Sequence, residues 1–294
     1  MLHTELLPLR DPNAGARQRF ARLLRGLGPL GVGSLILILL VILAAVFAPV
    51  IATHDPGVGS VARRFQGPSA EHWFGTDQAG RDLFSRIVWG ARSSLVGAAA
   101  IVLITSVLGT GLALLASWRG GWVDTLISRM LDLLFSFPNL LLAIILVAVF
   151  GKGLWPCVIA LSVAYVPYTA RVIRSVALRE RGMPYVRSPQ LQGIAGPTIV
   201  VRHLVPNVLP QVLTGATINF GFAMIDLAAL SFLGLGVQQP AADWGLMVAN
   251  GKEALLQGHL AESFIAGGCI VLTVAAFGYL GERLGGRKAA GRTR

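Results

Sequence analysis

Few side chains in this sequence are of a type and spacing that does covalent chemistry. Cys157 and Cys269 each fall inside an apolar stretch, and nothing in their spacing calls for a disulfide framework. No Cys/His cluster suggests a metal-ligand set, so no metal site is expected. The chain lacks the Gly-x-x-x-x-Gly-Lys-Ser/Thr loop that cradles nucleotide phosphates. It also shows no nucleophile paired with a base in a plausible site. The expectation is a chain that is not an enzyme and has no cofactor of its own. What remains are polar groups in apolar surroundings. Asp132 and Asp226 lie at or near membrane depth, where a charge at the centre of a span costs about 2.5–3.5 kcal/mol. Asp132 is expected near one end of a helix, within reach of Arg129, and simple pairing accounts for it. Asp226 sits deeper, at the end of Asn219-Phe-Gly-Phe-Ala-Met-Ile-Asp226. Two readings of Asp226 stay open: a polar group lining a path or meeting a second subunit, or one satisfied between helices. Pro138 and Pro167 are expected to end or kink their helices.

The elements that must position these groups follow from composition. The 294 residues are 54% hydrophobic and 13% charged, against about 25% charged in soluble domains. Residues 26–53, 93–118, 133–151, 153–170 and 263–281 carry no charged side chain. A helix needs about 20 mostly apolar residues to cross a hydrocarbon core of about 30 Å. These segments are apolar on all faces, unlike the striped helices of soluble proteins. The fold expected is an all-α membrane protein of about six transmembrane helices, near 29–51, 93–117, 133–150, 154–174, 207–230 and 263–281. The apolar run from Leu30 to Ala52 exceeds the 7–15 residues of a signal-peptide core, so a retained first helix is expected.

Charge gives that bundle a direction. Arg17, Arg19, Arg22 and Arg25 precede the first span and place the N-terminus in the cytoplasm by the positive-inside rule. Only Arg63, Arg64, Arg81, Arg86, Arg92, Lys152 and Lys252 then fall outside, leaving 18 of the 25 basic residues inside. The net charge of +11 therefore reports topology, and no nucleic-acid partner is expected. The chain divides into a cytoplasmic tail over 1–28, a first helix over 29–51 and an outer loop over 52–92. A five-helix core follows over 93–282, with an inner loop at 175–206 and a second outer loop at 231–262. A basic cytoplasmic tail spans 283–294.

Loops this long are usually functional or partly structured. In the inner one, Ser188 followed by Pro189 reads as a helix start and Gly196-Pro197 as a stop. A short helix over about 189–195 is expected across the mouth of the bundle, a natural docking element for a soluble partner. In the first outer loop, Trp73, Phe74 and Trp89 suit a membrane interface. Thr76 or Asp77 is expected to cap the helix that becomes the second span. Asp82 and Arg86, four apart, are spaced to pair on one helix face.

At these residues the sequence resembles a known family, the inner-membrane permease subunits of ABC importers, and within it the dipeptide/oligopeptide/nickel branch. The outer-loop stretch Phe74-Gly75-Thr76-Asp77-Gln78-Ala79-Gly80-Arg81-Asp82-Leu83-Phe84-Ser85-Arg86 is similar to that branch's pattern. Three further stretches follow in the expected order: Gly90-Ala91-Arg92-Ser93-Ser94-Leu95, Asp124 to Pro138, and Leu230 to Pro240 with Asp243-Trp244-Gly245. The family's coupling loop falls at the inner segment. Tyr185, Val186 and Gly193 are in register, and Arg202-His203-Leu204-Val205-Pro206 matches its end. Arg187-Ser188-Pro189 stand where the family carries Glu-Ala-Ala, and Glu180 and Arg181 lie just upstream.

The resemblance implies a type I permease fold and an import path shared with a second, homologous permease. It implies two cytoplasmic ATPase subunits, which hold the ATP and magnesium, docking around Glu180, Arg181, Tyr185, Arg187, Ser188, Pro189, Gly193, Arg202 and Pro206. An external substrate-binding protein would meet the outer loops, whose signature includes Gly75, Thr76, Asp77, Gly80, Arg81 and Asp82. Asp226, Asn219, Asp132 and Pro138 are the candidates for the path or the subunit interface. Di- or oligopeptides are the expected cargo, with nickel or another small solute as the alternative. From outside the class, a secondary transporter or a non-conducting scaffold subunit competes.

Overall fold

The computed structural model describes the backbone of residues 14–291 and the side chains of 28–283. Of the two expected tails, residues 1–13 and 292–294 lie outside the described residues. Among those described, regular structure is helical, apart from one isolated bridge between Thr76 and Asp82. In chain order the helices are α1 (Ala14–Val46), α2 (Ala48–Ile51), α3 (Leu83–Arg119), α4 (Gly121–Phe135), α5 (Asn139–Phe150), α6 (Leu154–Arg181), α7 (Pro184–Leu191), α8 (Gly196–Ile199), α9 (Val205–Phe232), α10 (Trp244–Leu256) and α11 (Ala261–Gly291). Five stretches are long and apolar enough to cross a membrane: Gly28–Val46, Leu83–Arg119, Leu154–Arg181, Gly196–Phe232 and Ala261–Arg283. The pair α4–α5, bent by 90°, makes a sixth span if taken together.

Several boundaries differ from those read off the sequence. α3 begins ten residues early, because Asp82 caps it by accepting the Ser85 amide; Thr76 and Asp77 lie outside the helix. The expected connection at 118–132 is mostly the helix α4. The break predicted at Pro138 is real: this residue has no N–H to extend α4 and stands as the cap of α5. The first seven residues of the expected inner loop, 175–181, belong to α6, which runs to Arg181.

The short surface helix is α7, with Met183 as cap and Pro184 in its first turn. Ser188 and Pro189, read as its start, lie inside it. The helix stops at Gly193 (φ 76°), where the Gly193 amide reaches Gln190 O and the Ile194 amide reaches Pro189 O. That pairing satisfies terminal carbonyls and needs a left-handed residue, so glycine fits here. Gly196-Pro197, read as a stop, instead opens α8, which runs through a wide turn over 200–204 into α9.

The core sits where α3, α6, α9, α10 and α11 meet. Ala98, Ile101, Leu161, Ala223, Met224 and Leu227 are at most 1% exposed there. Lipid gives helices no hydrophobic drive toward each other, so close packing of small residues does that work. Ala91, Ala98, Ala113 and Ala116 form the buried side of α3. Leu39, Leu103, Phe222 and Val271 stay more than half exposed, as lipid-facing positions should. The chain alternates direction, so α7 and the α3–α4 turn share one end of the bundle. The segment 52–82, α10 and the start of α11 share the other.

Candidate functional site

Three polar regions stand out against this apolar body. The first is the cap built by residues 52–82 with α10. Asp77 accepts from the amides of Ala79 (2.8 Å) and Arg81 (2.9 Å) and from Arg81 Nε (2.7 Å). Gly80 turns with φ 73°, and a Cβ there would lie 1.8 Å from Ser60 O, so only glycine fits the turn. Arg86 is fully buried; its guanidinium donates to Pro56 O (2.8 Å) and Pro240 O (3.3 Å) and lies 3.5 Å from Asp77. The expected Asp82–Arg86 pair therefore does not form. Asp82 turns back to His72 and to Ser85. Burial raises the Asp82 carboxyl, but the Ser85 hydroxyl and amide, the His72 ring and the nearby His54 outweigh it and hold the group below its ordinary 3.8.

The same cap joins two stretches singled out separately in the sequence. Ser94 Oγ donates to Asp243 Oδ1 (2.7 Å) and accepts from the Trp244 amide (3.2 Å). The other Asp243 oxygen caps α10 through the Leu246 amide (3.1 Å). Trp244 Nε1 donates to Ile87 O (2.9 Å). A Cβ at Gly245 would lie 2.5 Å from Ala228 O, so α10 can approach α9 this closely only with glycine there. Burial drives the Asp243 carboxyl above its ordinary value, against the bonds from Ser94 and Leu246. Glu262, at the start of α11, is buried within electrostatic reach of Asp77, Arg81 and Arg86. Sequence reasoning missed it, since nothing near it in the chain announces a partner.

The second region lies inside the bundle. Asn219 donates to Thr169 Oγ1 (3.3 Å), and both line a small cleft of about 90 Å³ with Ser106, Tyr168, Gln211 and Thr214. About two turns further along α9, Asp226 is half-buried and accepts from Tyr165 OH (2.8 Å). Asp132 is exposed and pairs with Arg171 across to α6 (2.7 Å); the expected pairing with Arg129 is not the one formed. Beside it, Arg174 grips Asp124 through two hydrogen bonds, a pair that sequence spacing could not reveal across 50 residues.

The third region is the α7 end. Val186 is fully buried and anchors α7, while Tyr185, Arg187 and Ser188 face outward and Leu191 is 90% exposed. Tyr185 OH donates to the buried Glu180 (2.6 Å), tying α7 to the end of α6. Arg181 donates to Ser117 O (2.6 Å). Arg202 and Pro206 are exposed where the 200–204 turn enters α9.

An apolar bundle with a buried polar cap at one end and a short exposed helix at the other has the outline of a transport subunit. Residues 106–288 match the family model described as binding-protein-dependent transport system inner membrane component. This chain belongs to that permease family. Residues 28–68 of the permease also match the N-terminal TM domain of oligopeptide transport permease C. It is 39% identical over 255 residues to a dipeptide transport system permease protein of Alkalihalophilus pseudofirmus, covering 87% of this chain and 84% of that one. It is 37% identical to a probable D,D-dipeptide transport system permease protein of Escherichia coli, over 86% and 85% of the two chains. A glutathione transport system permease protein of Pectobacterium atrosepticum is 39% identical, over 74% and 72%. The permease is thus a multi-pass inner-membrane component of a transport system.

Proposed function

We propose that this permease forms half of an ATP-driven import path for di- or oligopeptides, completed by a second, homologous permease. Its orientation follows from charge: the α7 end carries most of the basic residues and faces the cytoplasm, with both termini on that side. Two ATPase subunits dock on α7 and its flanks, around Tyr185, Arg187, Ser188 and Leu191. An external binding protein delivers cargo to the cap around Asp77, Arg81 and Asp243. The polar cleft at Thr169 and Asn219, with Asp226 above it, faces the shared path. Similarity to peptide permeases over more than four-fifths of both chains is the observation that carries the reading.

The mechanism needs a rigid link from α7 to the spans. Val186 and the Tyr185–Glu180 bond supply it, because a push on α7 is transmitted to α6 without an intervening flexible segment. The decisive experiment reconstitutes the permease with a sister permease, ATPase and binding protein. Dipeptides are expected to stimulate ATP hydrolysis several-fold, and nickel is not. Stimulation by nickel alone, or by none of these, overturns the peptide assignment.

A further inference from the structure

Spacing along the chain predicts no metal ligands, but folding brings three together in the cap. His54 follows the first span, and Glu71 and His72 lie 17 and 18 positions on. One ligand atom from each lies within 4.8 Å of the others. The two imidazoles are 4.7 Å apart, centre to centre, and Glu71 Oε1 is 4.0 Å from His72 Nε2.

The state of His72 distinguishes this cluster from an ordinary polar loop. Its Nδ1 lies 2.9 Å from Asp82 Oδ1. With Nδ1 donating to that oxygen, Nε2 is the ring nitrogen left to take a ligand. Nε2 is buried and has no hydrogen-bond partner among the described residues, in a side chain only 5% exposed. A buried polar atom left without a partner is costly unless something else binds it. A carboxylate fixing the far nitrogen of an imidazole is the arrangement that orients metal-binding histidines. Beside His54 and His72 lies a cavity of about 350 Å³ that Asp82, Ser60 and Arg63 also line, which gives an ion access.

We infer that His54, Glu71 and His72 form a binding site for a divalent transition-metal ion of the zinc class. Two imidazoles and one carboxylate, with water in the fourth position, suit zinc, and the same nitrogen-rich set takes cobalt, nickel or copper. Bonds of about 2.0–2.2 Å place tetrahedral ligand atoms roughly 3.3 Å apart. Closing the cluster from 4.8 Å to that size needs movements of up to about 1.5 Å, within the reach of the exposed Glu71 and part-exposed His54 side chains. Arg63 now holds Glu71 at 2.5 Å and competes with the ion. Once bound, the ion ties the segment after the first span to the loop and, through Asp82, to the start of α3. This site lies outside the proposed path and is read without any transport assay.

The test uses the full-length, tag-free chain in detergent, stripped with a chelator and dialysed against zinc, with metal measured by mass spectrometry. One zinc per chain is expected, and cobalt should give the intense visible absorption of a tetrahedral site. His54→Ala and His72→Ala should each weaken zinc binding by about 10–100-fold. Because His72 is buried, His54→Ala, at a part-exposed position, guards against simple misfolding, with elution volume as the check. Arg63→Ala should tighten binding several-fold by releasing Glu71. Less than a tenth of an equivalent in the folded parent chain overturns the proposal. Affinity unchanged in folded His54→Ala overturns it as well.

Discussion

Ser94→Ala tests whether the cap is one structure or two neighbouring loops. The Ser94 hydroxyl serves both Asp243 Oδ1 and the Trp244 amide, and these three residues are at most 5% exposed. Its loss removes a hydrogen bond to a carboxylate, about 1.5–3 kcal/mol, and orphans a buried amide, about 1–3 kcal/mol. Partial protonation of Asp243 relieves some of that, leaving about 2–4 kcal/mol. At roughly 2–4 °C per kcal/mol for large chains, the melting temperature should fall by roughly 4–16 °C. The pH dependence has a definite sign. The folded Asp243 value is raised, so its contribution is fully present below the unfolded value and is lost as pH rises through the folded one. Removing Ser94 raises it further, so the deficit of the variant should widen with rising pH. Thermal melts of the purified chain, with hydrogen exchange over residues 242–248, measure this. In a cycle with Asp243→Ala, a coupling of about 1–3 kcal/mol is expected. A melting shift under about 1 °C, or strictly additive singles, refutes the joined cap.

Three further outcomes follow from the same geometry. Asp82 has the opposite sign to Asp243: its depressed value stabilises the cap above about pH 3.8 and loses that as pH falls through the folded value. Asp82→Asn should therefore flatten the acid limb of a stability–pH curve while its amide oxygen keeps the cap on the Ser85 amide. Leu191→Glu, at a position 90% exposed, should leave melting unchanged but cut ATPase-subunit co-purification at least ten-fold; full co-purification removes Leu191 from the docking face. Tyr165→Phe strips Asp226 of its phenol donor at a cost of about 0.6–1.7 kcal/mol, the range for interhelical hydrogen bonds in membranes. Peptide uptake should then fall by the same factor as in Asp226→Ala, and uptake unchanged in both variants takes Asp226 off the path.

The sequence by itself determined that the chain is a helical membrane protein, because charge-free stretches of this length have few other solutions in water or lipid. It also identified the stretches that matter. The Gly90–Leu95 and Asp243–Gly245 motifs were visible in the sequence; their meeting through Ser94 was not, because 149 residues separate the bonded pair. Local rules misplaced the surface helix for a related reason. Ser188-Pro189 and Met183-Pro184 both permit a helix start, and the choice fell to the one that buries Val186. Asp132 pairs with Arg171 rather than Arg129 because α6 passes beside it, which spacing on one helix cannot report. The cap shows the division most clearly. Asp77, Arg81 and Asp82 were legible as a motif, but Glu262, Arg86 turned toward Asp77, and His54 beside His72 exist only once distant segments fold together. Periodicity and charge act along the chain and fix which parts enter the membrane. Buried polar groups find partners across space, so the tertiary structure alone decides which pairs form the site.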